Sequence, residues 1–217
     1  MGRGRFGLAR AVPLLFALLL PLVACTPNRI ANSTNYDLVA TTFDPSEDFG
    51  AGLTFVLPDT ISHIVESGDE PTRTYDDQIL DRIRTNLVAR GYVEDADGDP
   101  TDADYVVQAV VAETRLTITS YWGGWGGYYG GWSPVYPPGY SSAYFYDAGT
   151  VAWGMFDVPR RDPASGTVPL VWVAFVNGLL DQGTQAGPEA RIDGLIDQAF
   201  AQSPYIQHVG RRAGSGL

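Results

Sequence analysis

Lysine is absent from the 217 residues, cysteine occurs once, and histidine and methionine twice each. A single thiol excludes an internal disulfide and a cysteine-rich zinc site, since both need more than one sulfur. The two histidines, His63 and His208, stand beside no recognisable nucleophile motif, so triad chemistry has no starting point. Without lysine, 14 arginines face 25 acids, giving a formal charge of −11. Such a chain repels phosphate backbones, which excludes nucleic acid as a partner. Long apolar runs are also scarce. The run from Ala11 to Val23 is shorter than the ~20 residues that span a bilayer.

That run organises the chain. Arg3, Arg5 and Arg10 precede it, and it closes on Leu22-Val23-Ala24-Cys25. Basic residues, an apolar stretch and a small-residue cleavage site make a secretory signal. With cysteine directly after the small residues, it becomes a lipoprotein processing site. There the Cys25 sulfur takes a diacylglycerol by thioether, residues 1–24 are cut away, and the new amino group is acylated. Two or three acyl chains hold a protein on a bilayer effectively permanently, at about 0.8 kcal/mol per buried methylene. Palmitate is the acyl class expected. Thr26, in place of an aspartate retention signal, points to the outer membrane, facing the periplasm. The competing reading of Cys25 is a coincidental thiol after an ordinary signal peptide. Removal of residues 1–24 leaves eleven arginines against 25 acids, so the mature chain is still more acidic.

Residues 25–35 read as anchor and polar spacer, 36–204 as one domain, and 205–217 as a flexible tail. Within the domain, Asp37–Phe43 and Leu53–Leu57 read as strands, and 59–74 as an exposed polar loop containing His63. A helix is expected over Tyr75–Arg90, with Ile79, Leu80, Ile83 and Leu87 on one arc, a capping pair Thr74/Asp77, and Gly91 as its stop. Tyr105–Thr119 reads as a long strand, Gly149–Val158 and Pro169–Leu179 as two more, and Pro188–Gln202 as a second helix. In the last strand Val171, Val173 and Phe175 alternate with Leu170, Trp172, Ala174 and Val176, so both faces are apolar. The order predicts an α+β two-layer sandwich: a mostly antiparallel sheet of about five strands with two helices on one face.

The chain resembles the bacterial lipoproteins grouped as domain of unknown function 4136. The resemblance is carried by Phe43-Asp44-Pro45-Ser46-Glu47-Asp48-Phe49 with Leu53-Thr54-Phe55, and by Ile79, Ile83, Leu87 and Arg90-Gly91-Tyr92. It continues in Ala103-Asp104-Tyr105-Val106-Val107, a Gly/Tyr/Trp insert, Gly149-Thr150-Val151 with Phe156-Asp157, Val171-Trp172, and Arg191-Ile192 through Phe200 to Pro204. The chain departs from the pattern at Val173-Ala174, where a basic or small residue is common after Trp172, and in having no lysine. The resemblance implies an envelope lipoprotein with a compact α+β domain, and it carries no activity or catalytic residues across.

Candidate chemistry is sparse. Asp95, Asp97 and Asp99 alternate as calcium ligands do, but Pro100 and Val106 stand where a calcium loop needs glycine and glutamate, so a solvated acidic turn is the better reading. Glu189, Asp193 and Asp197 recur every four residues on the last helix, as either a solvated flank or a patch for a basic partner. No metal, cofactor or catalytic residue is implied. The insert 120–146 presents Trp122, Trp125, Tyr128, Tyr129 and Trp132 on a glycine-rich backbone. It has three readings: a low-complexity hairpin tip, a contact surface for a glycan or the lipid headgroups, or an internal cover over the second sheet face. The leading expectation is a lipid-anchored, non-catalytic binding or structural module whose exposed apolar sheet face and insert meet an envelope protein, a glycan or the membrane. The alternatives are a hydrolase of envelope polymers, marked by buried carboxylates or a histidine in a cleft, and a small carrier of a lipid-like ligand.

Overall fold

The computed structural model describes residues 1–2, 38–113, 116–117, 133–135, 145–146, 149–180 and 187–209. The chain divides into two units, Met1–Ala31 and Asn32–Leu217, and every element below belongs to the second. Cys25 and the five aromatic residues Trp122, Trp125, Tyr128, Tyr129 and Trp132 lie outside the described residues.

The strands are β1 (Leu38–Phe43), β2 (Thr54–Val56), β3 (Ser62–Ile64), β4 (Val93–Glu94), β5 (Tyr105–Ala112), β6 (Leu116–Thr117), β7 (Ser133–Val135), β8 (Phe145–Tyr146), β9 (Thr150–Asp157) and β10 (Thr167–Asn177). The helices are α1 (Asp76–Ala89) and α2 (Pro188–Ala201). Six strands pair in the order β1-β10-β9-β5-β2-β4, with β3 also on β5 and β7 also on β10, while β6 and β8 form a separate pair. The α+β class holds, but the sheet is larger than five strands and mixed. The reason lies in the connections. Strands joined by hairpins run antiparallel, as β9 and β10 do, whereas a strand–helix–strand crossover returns the chain in the same direction. Helix α1 is such a crossover, and β2 and β4 on either side of it are parallel.

Helix α1 forms because its apolar residues fall at helical spacing, and Ile79, Ile83 and Leu87 are fully buried. Its end follows the expected form. Gly91 takes a φ of +90°, and the Gly91 and Tyr92 amides bond back to the Val88 and Leu87 carbonyls, closing a Schellman turn. Its start does not. The capping pair expected at Thr74 and Asp77 is not formed: Tyr75 is the N-cap residue with no side-chain cap bond, and Asp76, the first residue of the helix, bonds His63 and Arg73.

Both helices pack on one face of the sheet. There Trp153, Trp172 and Phe200 meet with ring centroids 5.1–6.1 Å apart, and the Trp172 indole donates to Ser203 Oγ at 3.0 Å. The acidic flank of α2 is not simply solvated. Asp197 takes Arg82 and Asn86 of α1, and Asp193 takes Gln78.

The second face is a core of its own: Val56, Val106, Val110, Ala152, Phe156, Leu170, Val173 and Phe175 are all buried. This overturns the expectation of an exposed apolar sheet face. The alternation expected for β10 also fails at one point. Leu170 pairs with Phe156 and Trp172 with Met155, leaving Val171 as an extra residue in a bulge. Val171 and Trp172 therefore both join the helix-side core, and Leu170 shares the second face with Val173. A bulge puts two residues against one, and so shifts the face of every residue before it.

Two boundaries move as well. The strand expected through Thr119 ends at Ala112. The domain expected to end at Pro204 continues to Val209: Ile206 is fully buried, and the His208 amide donates to the Arg90 carbonyl at 3.0 Å.

Replacing Ile83 with alanine removes a fully buried side chain between α1 and the sheet. It should cost about 2–5 kcal/mol, while Val88→Ala, at an exposed position of the same helix, should stay within about 0.5 kcal/mol. Chemical denaturation of the two variants measures both.

Candidate functional site

The segment joining β1 to β2 carries Asp44-Pro45-Ser46-Glu47-Asp48-Phe49, and it is pinned from five directions. Asp44 first folds it locally: its carboxylate accepts the Ser46 amide at 2.9 Å and the Ser46 hydroxyl at 2.6 Å. Tyr92, just past α1, donates its hydroxyl to the Phe49 carbonyl at 2.8 Å. Tyr105, at the start of β5, donates to Glu47 Oε1 at 2.8 Å. His208 holds the Gly52 carbonyl through Nδ1 at 2.7 Å. Asp104 accepts the Leu53 and Thr54 amides at 2.7 and 2.9 Å and the Thr54 hydroxyl at 3.1 Å. Gly52 allows the close approach, because a Cβ there would lie 2.3 Å from Tyr105 Cε2.

Arg160 completes the site. Its guanidinium reaches Asp157, Glu47 and Asp44, so one cation serves three buried carboxylates. Burial works to raise the Asp44 carboxyl, but the Ser46 hydrogen bonds and Arg160 outweigh it and hold it below the usual range. Asp104 is likewise held low by its three hydrogen bonds and by His208, against the cost of burial. Glu47 goes the other way: burial, aided by the charge of Asp157, pushes it up in spite of Tyr105 and Arg160. Burial and the neighbouring Glu47 push both tyrosine hydroxyls up, so they remain donors.

An open groove of about 420 Å³ adjoins this cluster, lined by Glu47 to Ala51 on one side and by Pro204, Tyr205, Gln207 and Val209 on the other. Phe43 and Tyr205 stack at its rim, with centroids 4.0 Å apart.

A second polar cluster surrounds His63. Expected in an exposed loop, its side chain is 1% exposed, because β3 places it beside β5. Nδ1 bonds Glu113 at 2.7 Å and Nε2 bonds Asp76 at 2.8 Å. Asp76 also takes Arg73, and Glu113 takes the Thr72 amide. The histidine is a tie between β3, α1 and the end of β5. Both ring nitrogens are engaged by carboxylates.

The acidic turn is also self-contained. Asp95 accepts the Asp97 amide, and Asp99 accepts the Thr101 amide and hydroxyl. Among the described residues no group of three or more His, Cys, Asp or Glu side chains could hold a metal ion.

The pieces that converge on the groove are thus far apart in sequence: 44–54, 90–92, 103–105, 156–160 and 203–209. A family model for a domain of unknown function (DUF4136) matches residues 39–205. The chain belongs to this family. The crystal structure of a DUF4136 family protein from Bacteroides thetaiotaomicron is similar at 26% identity and a TM-score of 0.62, covering 79% of this chain and 97% of the other. Two structures of PelC from Paraburkholderia phytofirmans, both dodecamers, are similar at 19% and 17% identity. Each has a TM-score of 0.40 and covers 80% of this chain and 100% of its own. No curated protein matches the chain.

In this DUF4136 chain the sequence offered no place in a site to Arg160 and His208, and Tyr92 stood only among the residues that carry the resemblance. Asp44, Glu47, Asp104, Tyr105 and Asp157 stood among the residues that carry the resemblance, but nothing in the sequence tied them to one another or to an arginine more than a hundred residues from Asp44.

Gly52→Ala should lower stability by about 1–3 kcal/mol through overpacking against Tyr105, read as a fall in melting temperature. Acid should also weaken the domain. Asp44 and Asp104 titrate below their unfolded values, so their contribution is complete above about pH 4 and disappears as pH falls through the folded values. Glu47, raised, contributes in the opposite sense and offsets part of the loss. Melting temperature recorded against pH should fall below about pH 4, and Asp104→Asn should flatten that limb.

Proposed function

We propose that this DUF4136 chain is a lipid-anchored lipoprotein of the cell envelope, held through Cys25 at the outer membrane and facing the periplasm, and that its domain is a non-catalytic binding or structural module. The observation that carries this reading is Leu22-Val23-Ala24-Cys25 at the end of an apolar run headed by three arginines. The sulfur of Cys25 is the only thiol in the chain, so acylation there competes with no disulfide or metal site. The membrane is then the first partner, through two or three acyl chains. An envelope protein or a glycan is the second, met by the folded domain beyond the spacer.

The internal chemistry of the domain supports the non-catalytic part. Glu47 has Tyr105 on one oxygen and Arg160 on the other, and His63 has a carboxylate on each ring nitrogen. Groups held in this way are positioned for tethering. A general acid or base must have a free position within reach of the proton it moves.

A hydrolase is the second reading, favoured by one feature: Glu47 is raised by burial and lines the groove. A raised carboxyl is what a general acid in glycoside hydrolysis needs. Its two occupied oxygens weigh against it.

Cys25→Ser should move the protein from the detergent phase to the aqueous phase on phase separation, and should abolish incorporation of labelled palmitate. A variant that stays with washed membranes and keeps its label would sink the anchoring proposal.

A further inference from the structure

We infer that β1 is a docking edge for a second copy of this chain, the two strands pairing antiparallel about a two-fold axis at Thr41 and joining the two sheets into one. Among the described residues β1 ends its sheet, and β10 is the one strand it pairs with. In an antiparallel pair the backbone groups of alternate residues point at the neighbouring strand, and those of the residues between point away. The Asp44 amide donates to the Val171 carbonyl across this ladder at 2.8 Å, so Thr42, Ala40 and Leu38 also face β10. Val39, Thr41 and Phe43 therefore turn their amides and carbonyls outward. These outward groups have no hydrogen-bond partner among the described residues.

Such an edge is a template for another strand, and folded proteins blunt it with shortness, charge, proline or a bulge. The opposite end of the sheet is blunted in this way. β4 has two residues, one of them Glu94 with Arg84 upon it, and Asp95, Asp97 and Asp99 follow in the chain. β1 has none of these devices. It is six residues long, Leu-Val-Ala-Thr-Thr-Phe, with neither charge nor proline, and it keeps a regular register with β10 throughout. Leu38 and Phe43, at its two ends, are 57% and 39% exposed.

Charge selects a second copy as the occupant. The chain carries a net charge of −11, so two copies repel unless they close along a neutral strip. β1 is such a strip, and what borders it is neutral or already paired. Asp44, just past its end, is held by Ser46 and Arg160. The helix above it, α2, turns Asp193 and Asp197 toward Gln78, Arg82 and Asn86 of α1. Its other shoulder carries Arg191, Leu195, Gln198 and Gln202 at helical spacing, with no acid among them.

The strand is also complementary to itself, as a two-fold interface requires. With Thr41 opposite Thr41 of the second copy, Val39 faces Phe43 on both sides of the axis, a β-branched residue against an aromatic, and the two threonine hydroxyls meet at the centre. Every one of these pairs joins outward-facing residues, so each exchanges both of its backbone hydrogen bonds. Sliding the register by two residues carries Phe43 or Val39 past the end of the partner strand and loses a pair.

Cross-linking tests both the contact and its register. In the full chain carrying Cys25→Ser, kept in non-ionic detergent, an introduced thiol is the only one. There Thr41→Cys, oxidised with copper phenanthroline, should give a disulfide-linked dimer on a non-reducing gel, since directly opposite residues of this kind lie about 5.5 Å apart between Cα atoms. Thr42→Cys should give several-fold less, because its counterpart stands two residues along the partner strand, beyond the roughly 7 Å that a disulfide spans. Equal yields at the two positions, or none at Thr41, overturn the inference. So does a Thr41→Cys chain that cross-links in cells only to a different protein. A charge swap gives the second measurement. The Cys25→Ser chain should show twice its monomer mass of 23.4 kDa in light scattering once the detergent is subtracted. Thr41→Lys should return it to the monomer by setting like charges opposite each other, and mixing Thr41→Lys with Thr41→Glu should restore the doubled mass. A chain that is monomeric from the start, or a Thr41→Lys chain that stays dimeric, overturns the inference. If Thr41→Lys fails to fold, the cysteine yields decide.

Discussion

Three adjacent strands, β5, β9 and β10, are apolar on both faces, and the domain is arranged to keep water off both. All eight residues of β5 and all eight of β9 are buried. Such strands belong inside a layered stack, where near-continuous runs of valine and alanine replace the alternation of a half-exposed sheet. One face is met by two helices lying side by side, fixed to each other by Arg82, Asn86 and Gln78 reaching across to the acids of α2. These contacts are half-exposed, and each contributes at most about 1 kcal/mol. The weight of the fold rests on the aliphatic residues beneath them.

The groove end follows from the same constraint. The strands stop there, and their backbone groups need partners that the ladder no longer supplies. Asp104 caps the entry to β2, Asp44 turns the chain after β1, and Tyr92 and Tyr105 bring hydroxyls to otherwise buried acceptors. Arg160 is the cost of concentrating acids in one place: three carboxylates sharing one guanidinium leave Glu47 under strain in its charged form. The segment from Asp44 to Thr54 is secured in this chain by a set of hydrogen bonds from Tyr92, Tyr105, Asp104 and His208. His63 plays a parallel part elsewhere, binding β3, α1 and the end of β5 through a single ring.

Much of this was legible beforehand, for reasons that can be named. Ile79, Ile83 and Leu87 are spaced for one helical face, and Gly91 is a residue that tolerates a left-handed stop, so α1 emerged almost at its true limits. Pro188 marked the start of α2 in the same way. The failures share a cause, which is that partners distant in sequence decided the outcome. His63 looks exposed among polar neighbours until Asp76 and Glu113 arrive. Asp193 and Asp197 look solvated until α1 is laid beside them. The direction of β2 relative to β4 depends on a helix acting as a crossover, and that is a property of connection rather than of composition. The groove could not be foreseen because Arg160 and His208 carry no local pattern.

The bulge at Val171 acts as a phase shifter. A single uncompensated residue lets one continuous strand serve two rows of side chains that would otherwise be out of step, with Val168 and Leu170 on the same side as Val173 and Phe175. Loss of that residue would leave Leu170 opposite Phe156 and Trp172 opposite Met155, a regular ladder in which Leu170 keeps its face. Length and parity in this strand are therefore separately encoded: the extra residue breaks the alternation of the sequence without changing the face that Val168 and Leu170 present.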